Sequence, residues 1–298
     1  MNDSELTTIT MKIECITICV GYADFLREVL PHNLAHFDDY LVVTRFDDHA
    51  TQLLCRELGV ECRPTDLFDK GGDAFAKGRA IDWGLGFLRR DGWVCHLDAD
   101  IFLPPMTRHW IEASEPDEQC IYGCDRVNCV GYDAWRQYLT GNYAGNSRVG
   151  SSGVAGSNAH STTQLPHNST TSSASARPGH LLQHRYHCLL TPPPFPLGSR
   201  LVLREQGGYV PIGFFQLWHG RHGRRYPLRQ GNAEHTDVLH ALQWPRDKRQ
   251  LLEEVVAIHL ESEPSKMGAN WSGRKTAPFG PDSNSSAKPN VVGPAYVC

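Results

Sequence analysis

The stretch Trp93-Val94-Cys95-His96-Leu97-Asp98-Ala99-Asp100-Ile101-Phe102-Leu103-Pro104-Pro105 constrains the chain more than any other. Its apolar run predicts a buried strand, and the Pro pair stops it. Asp98 and Asp100 close that strand at its C-terminal end, where open α/β sheets bind ligands. Residues i and i+2 of a strand share a side, so the spacing predicts that the two carboxylates converge. Two close carboxylates repel unless a proton or a cation lies between them. A hard divalent cation with oxygen ligands, itself clamped to phosphates, meets that need. An ordinary acidic loop after a strand shows the same D-x-D pattern, so the rest of the chain has to decide.

The flanking sequence alternates. Residues 12–22 read as a β-branched strand that breaks at Gly21, and 24–37 as a helix interrupted at Pro31. Residues 40–44 form a second strand ending in Arg45-Phe46-Asp47-Asp48. A helix over 50–58 is capped by Gly59, and 60–63 is a short third strand. Residues 75–90 carry the pattern of a long amphipathic helix leading into the Asp98 strand. This order predicts an α/β fold with a mostly parallel, doubly wound central sheet flanked by helices.

Beyond Pro105 the sequence predicts a short helix over 110–113, strands over 119–123, 210–217 and 255–260, and a helix over 232–244. Residues 141–184 are dense in Ser, Thr, Gly, Asn and Ala and cannot support a packed core. Strand-like sequence resumes after them, so they read as a flexible insertion within a single domain over 1–281. A mobile lid over a substrate is the alternative. Residues 282–298 read as a loose tail.

Of the 298 residues, 40% are hydrophobic and 21% charged, which fits a globular protein with a sizeable core. The formal charge of −4 provides no global field for nucleic acid or anionic membrane. Residues 1–10 lack a cationic region leading into an apolar one, and no apolar run is long enough to span a bilayer. The expectation is a cytoplasmic protein without a membrane partner. Ten cysteines in such a chain read as free thiols, with a zinc site at Cys120, Cys124 and Cys129 as the weaker alternative.

Three segments join the Asp98/Asp100 pair. Val20, Gly21 and Tyr22 close the first strand and Asp47 or Asp48 the second, a place for a nucleotide base and ribose. Lys77 and Arg79 put two cations on the first turns of a helix, where the macrodipole disfavours them and an anion such as a diphosphate would explain them. His259 ends an apolar strand, followed by a Gly-rich segment, 266–274, bearing Lys266, Asn270, Trp271 and Arg274. A separate run, Trp218-His219-Gly220-Arg221-His222-Gly223-Arg224-Arg225-Tyr226-Pro227-Leu228-Arg229, interleaves arginines with aromatics. Such a run suits phosphates or stacked bases, or is a solvated loop.

These motifs resemble the metal-dependent glycosyltransferases of GT-A fold, and are most similar to the family-two-type, inverting enzymes. The likeness rests on Cys19-Val20-Gly21-Tyr22, Lys77-Gly78-Arg79-Ala80-Ile81-Asp82-Trp83-Gly84, Leu97-Asp98-Ala99-Asp100, Gly213-Phe214-Phe215-Gln216-Leu217, Glu234-His235-Thr236-Asp237 and the segment from His259 to Arg274. It covers about residues 12–140 and 200–280.

The resemblance implies a nucleotide-sugar donor, expected to be a UDP-sugar, and Mn2+ or Mg2+ as cofactor. Asp98 would contact the donor ribose and the metal, Asp100 would hold the metal directly, and His259 would complete the protein's share. Lys266, Asn270 and Trp271 would close on the diphosphate, and Gln216 and Trp218 would face substrate. Asp237 is the first candidate for the general base and Glu234 the second, because the family's usual acidic doublet is absent. The acceptor is a hydroxyl. A polyanionic acceptor, such as hydroxymethylated DNA or a phosphorylated glycan, would bind along the arginines from 221 to 229.

Two other readings compete. Phosphoryl transfer through an aspartyl nucleophile also uses D-x-D, but wants Thr or Val where Phe102 stands. A non-catalytic module binding nucleotide-sugar or nucleic acid would share the fold.

Overall fold

The protein is described from a computed structural model covering residues 11–140, 204–205, 208–228, 231–264 and 268–281. The Ser/Thr-rich insertion over 141–184, the tail over 282–298, Lys266 and Arg229 lie outside the described residues.

The first half is built as β1 (Ile13–Ile18), α1 (Ala23–Asn33), β2 (Asp39–Arg45), α2 (His49–Leu58), β3 (Glu61–Thr65), α3 (Lys77–Gly84) and β4 (Trp93–Leu97). Its strands pair in parallel in the order β3-β2-β1-β4. Neighbouring residues of β2 show why both faces are covered. Val42 packs with Leu26, Val29 and Leu54 of α1 and α2, whereas Leu41 and Val43 pack with Ala80 and Ile81 of α3. All six residues of β1 are buried, as a parallel strand between two helical layers requires. From β1 the chain runs outward through β2 to β3, then crosses back to place β4 on the other side of β1. The adjacent C-terminal ends of β1 and β4 are therefore the switch point, the crevice where such sheets bind ligands.

The second half consists of β5 (Ile101–Phe102), α4 (Thr107–Ala113), β6 (Ile121–Val130), α5 (Tyr132–Thr140), a two-residue hairpin of β7 (Arg204–Glu205) and β8 (Gly208–Tyr209), β9 (Phe215–His219), α6 (Thr236–Ala241) and β10 (Arg249–Glu261). The sheet continues β4-β9-β6-β10-β5, with β9 antiparallel to both neighbours and β5 antiparallel to β10. The eight-stranded sheet is thus mixed, parallel as expected on the β1 side, and beyond β4 it combines the antiparallel pairings of β9 and β5 with a long parallel pairing of β6 and β10. Among the described residues, no helix is long and apolar enough to cross a membrane.

Several elements differ from their sequence signals. Pro31 lies inside α1 without breaking it, because Phe25, Leu26, Val29 and Leu30 anchor that helix on the sheet. The expected helix over 75–90 is shorter: the buried Glu14 carboxylate accepts the amides of Arg89 (3.0 Å) and Arg90 (2.6 Å) and draws the chain out of helix. The strand expected over 255–260 extends back to Arg249, across a bulge between Leu252 and Val256 that hides its alternation. The helix expected over 232–244 shrinks to Thr236–Ala241 between turns. The eight cysteines among the described residues are free, as expected. Cys120 and Cys124 pack in one cluster and Cys129 in another, so the three do not gather as a zinc site.

Asn33 fixes the short β5 strand that follows the Asp98/Asp100 turn. Its buried amide donates to the Ile101 carbonyl (2.7 Å) and accepts from the Leu103 amide (2.9 Å), imitating a neighbouring strand. Asn33→Ala strands both backbone groups, so urea unfolding should show a loss on the order of 3 kcal/mol.

Candidate active site

Asp98 and Asp100 border one cavity, but from a turn and not from the strand that their spacing suggested. β4 ends at Leu97, and Asp98-Ala99-Asp100 is a turn in which the Ile101 amide donates to the Asp98 carbonyl (3.3 Å). The turn is pinned on both sides: the Asp98 amide donates to Phe214 O (3.1 Å) and the Leu260 amide to Asp100 O (2.8 Å). The two carboxylates then take different partners across one cavity of about 430 Å3.

Asp98 Oδ1 accepts from Lys77 Nζ at 2.7 Å, and the same ammonium lies 3.7 Å from Asp237 Oδ2. Lys77 opens α3 and is itself buried. Burial works against its charge, but Asp237 and Asp98 outweigh that and hold its pKa above the ordinary lysine range. Burial likewise pushes the Asp98 carboxyl up, to about 6, against the pull of Lys77. Burial raises Asp237 too, again opposed by Lys77. The ammonium therefore bridges two carboxylates that would otherwise repel each other.

Asp100 points the other way. Register brings it to His259, since Ile101 of β5 pairs with His259 of β10. His259 Nε2 lies 3.3 Å from Asp100 Oδ2, and its Nδ1 lies 3.1 Å from Glu261 Oε1. Burial opposes charge on both groups, yet their mutual attraction prevails: Asp100 is held below, and His259 above, its ordinary pKa. Oδ1 of Asp100 is buried with no hydrogen-bond partner among the described residues.

Asp237 lies in the first turn of α6 and lines the cavity, with its side chain 19% exposed. Gly213 makes this possible, because a Cβ there would fall 1.7 Å from Asp237 Oδ2. Glu234 is not on that helix. It precedes His235, which holds a left-handed φ of 57°, and its side chain, 37% exposed, pairs with the ring of His235 (3.2 Å); His235 lines the cavity and Glu234 does not.

The remaining candidates divide. Val20, Tyr22, Asn270 and Trp271 line the same cavity as Lys77, Asp98, Asp100, Asp237 and His259. Arg274 secures their segment: its guanidinium grips Asp24 (2.6 and 2.8 Å), donates to Gly21 O (2.7 Å) and lies over the Tyr22 ring. Gly21 itself gives its amide to Asp48 (2.8 Å), whereas Asp47 is exposed and pairs with Arg45. Arg79 turns to Asp73 and to the carbonyls of Leu67 and Lys70. Gln216 and Trp218 are buried beneath the cavity rather than in its wall. In the arginine-rich run, Arg221 pairs with Glu118, Arg225 with Asp82, and Arg224 lies on the Trp244 ring, so none of these three lines the cavity.

The sequence reading had not singled out His96, Arg126, Phe75 or His235. The last three line the cavity, and His96 is fully buried behind Asp98, 3.7 Å from Oδ1. Burial, with Lys77 and His240 nearby, keeps the His96 imidazole neutral.

No family model and no curated protein matches the sequence. Among solved structures, the chain is similar to mannosyl-3-phosphoglycerate synthase from Rubrobacter xylanophilus, at 20% identity over 40% of this chain and 41% of that one, with a TM-score of 0.32. It is also similar to glucosyl-3-phosphoglycerate synthase from Mycobacterium tuberculosis, solved with Mn2+, uridine-diphosphate and glucosyl-3-phosphoglycerate. There the identity is 11% over 84% of this chain and 70% of that one, with a TM-score of 0.41. The chain spans about two fifths of the length of the first of these. Likeness at these scores does not bear on what this chain does.

Lys77→Met would leave Asp98 and Asp237 facing each other without a cation. Breaking such a buried arrangement should cost about 3 kcal/mol at pH 7. Folded-state carboxyl pKa values raised above their unfolded ones penalise the ionised form. The deficit should therefore shrink as pH falls from 7 towards 5 and the carboxylates protonate. Urea melts of wild type and variant across that range check both the size and the sign.

Proposed function

We propose that this protein is a glycosyltransferase moving a sugar from a nucleotide-sugar, expected to be a UDP-sugar, to an acceptor hydroxyl with inversion. The observation that carries this reading is that Asp98, Asp100, Lys77 and Asp237 converge on one cavity at the switch point of a doubly wound sheet.

Val20 and Tyr22, at the end of β1, would border the base and ribose. Lys77, Asn270 and Trp271 would meet the diphosphate. Asp237 is the better base than Glu234, because only Asp237 reaches the cavity. Burial raises its carboxyl pKa, against the pull of Lys77, which makes it a stronger proton acceptor than a solvated carboxylate. In the transfer, Asp237 takes the acceptor O–H proton as the oxygen bonds to the anomeric carbon from the face opposite the leaving group. The bond from that carbon to the diphosphate oxygen breaks, and its electron pair leaves with the nucleoside diphosphate.

A divalent cation, Mn2+ or Mg2+, fits beside Asp100. Its Oδ1 is buried and unpartnered, the group is held ionised, and His259 stands beside it. Among the described residues no three His, Cys, Asp or Glu side chains form a ready cage. Ions of this class, however, commonly take one or two carboxylates and complete their shell with substrate phosphates and water. His259 would have to shed its proton to join, so affinity for the ion should weaken at low pH. When bound, the ion would neutralise charge developing on the leaving diphosphate.

The test is metal-dependent nucleotide release from a panel of nucleotide-sugars, with wild type, Asp100→Asn and Asp237→Asn compared at equal folding. UDP release by wild type with Mn2+ should fall at least about a hundredfold in each variant. Silence of the folded wild type with UDP-, GDP-, CDP- and TDP-sugars would overturn the proposal.

A further inference from the structure

Beneath the cavity floor lies a buried polar network centred on Gln216, which the sequence pointed to as a substrate contact. Gln216 and His96 face each other across the β9–β4 pairing, and both are fully buried. The Gln216 amide nitrogen donates to the carbonyls of Pro211 and Asp237, each at 2.9 Å. Its carbonyl oxygen accepts from the Tyr226 hydroxyl and meets His240 Nδ1 at 3.1 Å. All four hydrogen-bonding positions of the amide are thereby filled. The Tyr226 hydroxyl is also 3.0 Å from His96 Nδ1. With its own proton committed to Gln216, Tyr226 can only accept there, so His96 carries its proton on Nδ1. Nε2 is then an acceptor with no hydrogen-bond partner among the described residues, 3.7 Å from Asp98 Oδ1.

One end of this chain of bonds holds the backbone of Asp237, and the other backs the side chain of Asp98. Those two residues belong to elements far apart in sequence, the β4 turn and α6. Besides Lys77, which is itself a cavity group, Gln216 and Tyr226 connect the Asp237 backbone by hydrogen bonds to the His96 ring, which packs 3.7 Å behind Asp98 Oδ1. We propose that Gln216, Tyr226 and His96 are positioning residues that set the separation of the donor-side carboxylate Asp98 from the base Asp237. This inference rests on the glycosyltransferase reading, and none of the three is a substrate contact. Gln216 in particular changes role, from expected substrate ligand to the brace behind the base.

The geometry makes the network selective in what it controls. It does not border the cavity, so donor binding should survive its loss. The approach of base and acceptor to the anomeric carbon should not, because misplacement by about 1 Å can cost on the order of a hundredfold in rate. Tyr226→Phe keeps the ring and removes only the bridging hydroxyl. Gln216→Met keeps the volume and removes all four bonds. The experiment measures kcat and donor KM for wild type and both variants, together with 15N NMR of the histidine rings and the melting temperature.

The expected result is a fall in kcat of about ten- to a hundredfold in Tyr226→Phe, with donor KM within about twofold of wild type and His96 no longer held as the Nδ1–H tautomer. If Gln216→Met fails to fold, Tyr226→Phe still decides through the split between kcat and KM and through the tautomer. An active wild type whose kcat is unchanged in Tyr226→Phe would overturn this inference alone. So would a wild-type His96 found as the Nε2–H tautomer. Absence of turnover by wild type with every donor would instead overturn the glycosyltransferase reading and this inference with it.

Discussion

The site depends on one buried ammonium. Lys77 stands between Asp98 and Asp237, and without it two carboxylates from different parts of the fold would share a poorly hydrated space. The price of burying three charges is high, and it is offset by attraction that is stronger there than in water. The consequence is geometric as well as energetic. α3, the β4 turn and α6 are drawn to one point, and the glycines beside them permit that approach. A Cβ at Gly78 would meet Pro227 O and the Thr236 side chain at 2.5 Å, and one at Gly213 would strike Asp237.

The sheet makes this meeting possible by changing character at β4. Parallel strands on one side supply the switch-point crevice and the helix starts around it. Antiparallel strands on the other side return the chain beside β4 and bring Gln216, Tyr226 and α6 underneath. The bulge in β10 and the short β5 strand then place His259 next to Asp100. Two opposed pairs result, Lys77 with Asp98 and His259 with Asp100, on either side of a three-residue turn.

Much of this was legible in the sequence, and the misses have physical causes. The first four strands could be read as short apolar or β-branched runs bounded by turn residues, β1 and β4 being buried on both faces, and the helices between them from their apolar spacing. Asp98 and Asp100 were found, although a turn and not a strand sets them on the cavity. Lys77 was found as a cation at a helix start, but Arg79 was grouped with it. Residues two apart on a helix point in nearly opposite directions, so Arg79 turns to Asp73 instead. A helix over 232–244 would put Glu234 on the face of Asp237, three residues on, but α6 begins at Thr236. Gln216 and Trp218 share a side of β9, and that side is roofed by Tyr226 and His240. His96 carried no local signal, and Tyr226 stood out only as an aromatic among arginines, because the contact between them exists only in the folded chain.

The most direct test of the central claim is calorimetric titration of UDP into the protein with and without Mn2+, for wild type and for Asp100→Ala. If the cavity is a nucleotide-diphosphate site completed by a divalent cation, wild type binds UDP only when Mn2+ is present, and Asp100→Ala abolishes that dependence along with the binding. UDP binding that is absent throughout, or that is indifferent both to Mn2+ and to Asp100, would contradict the account.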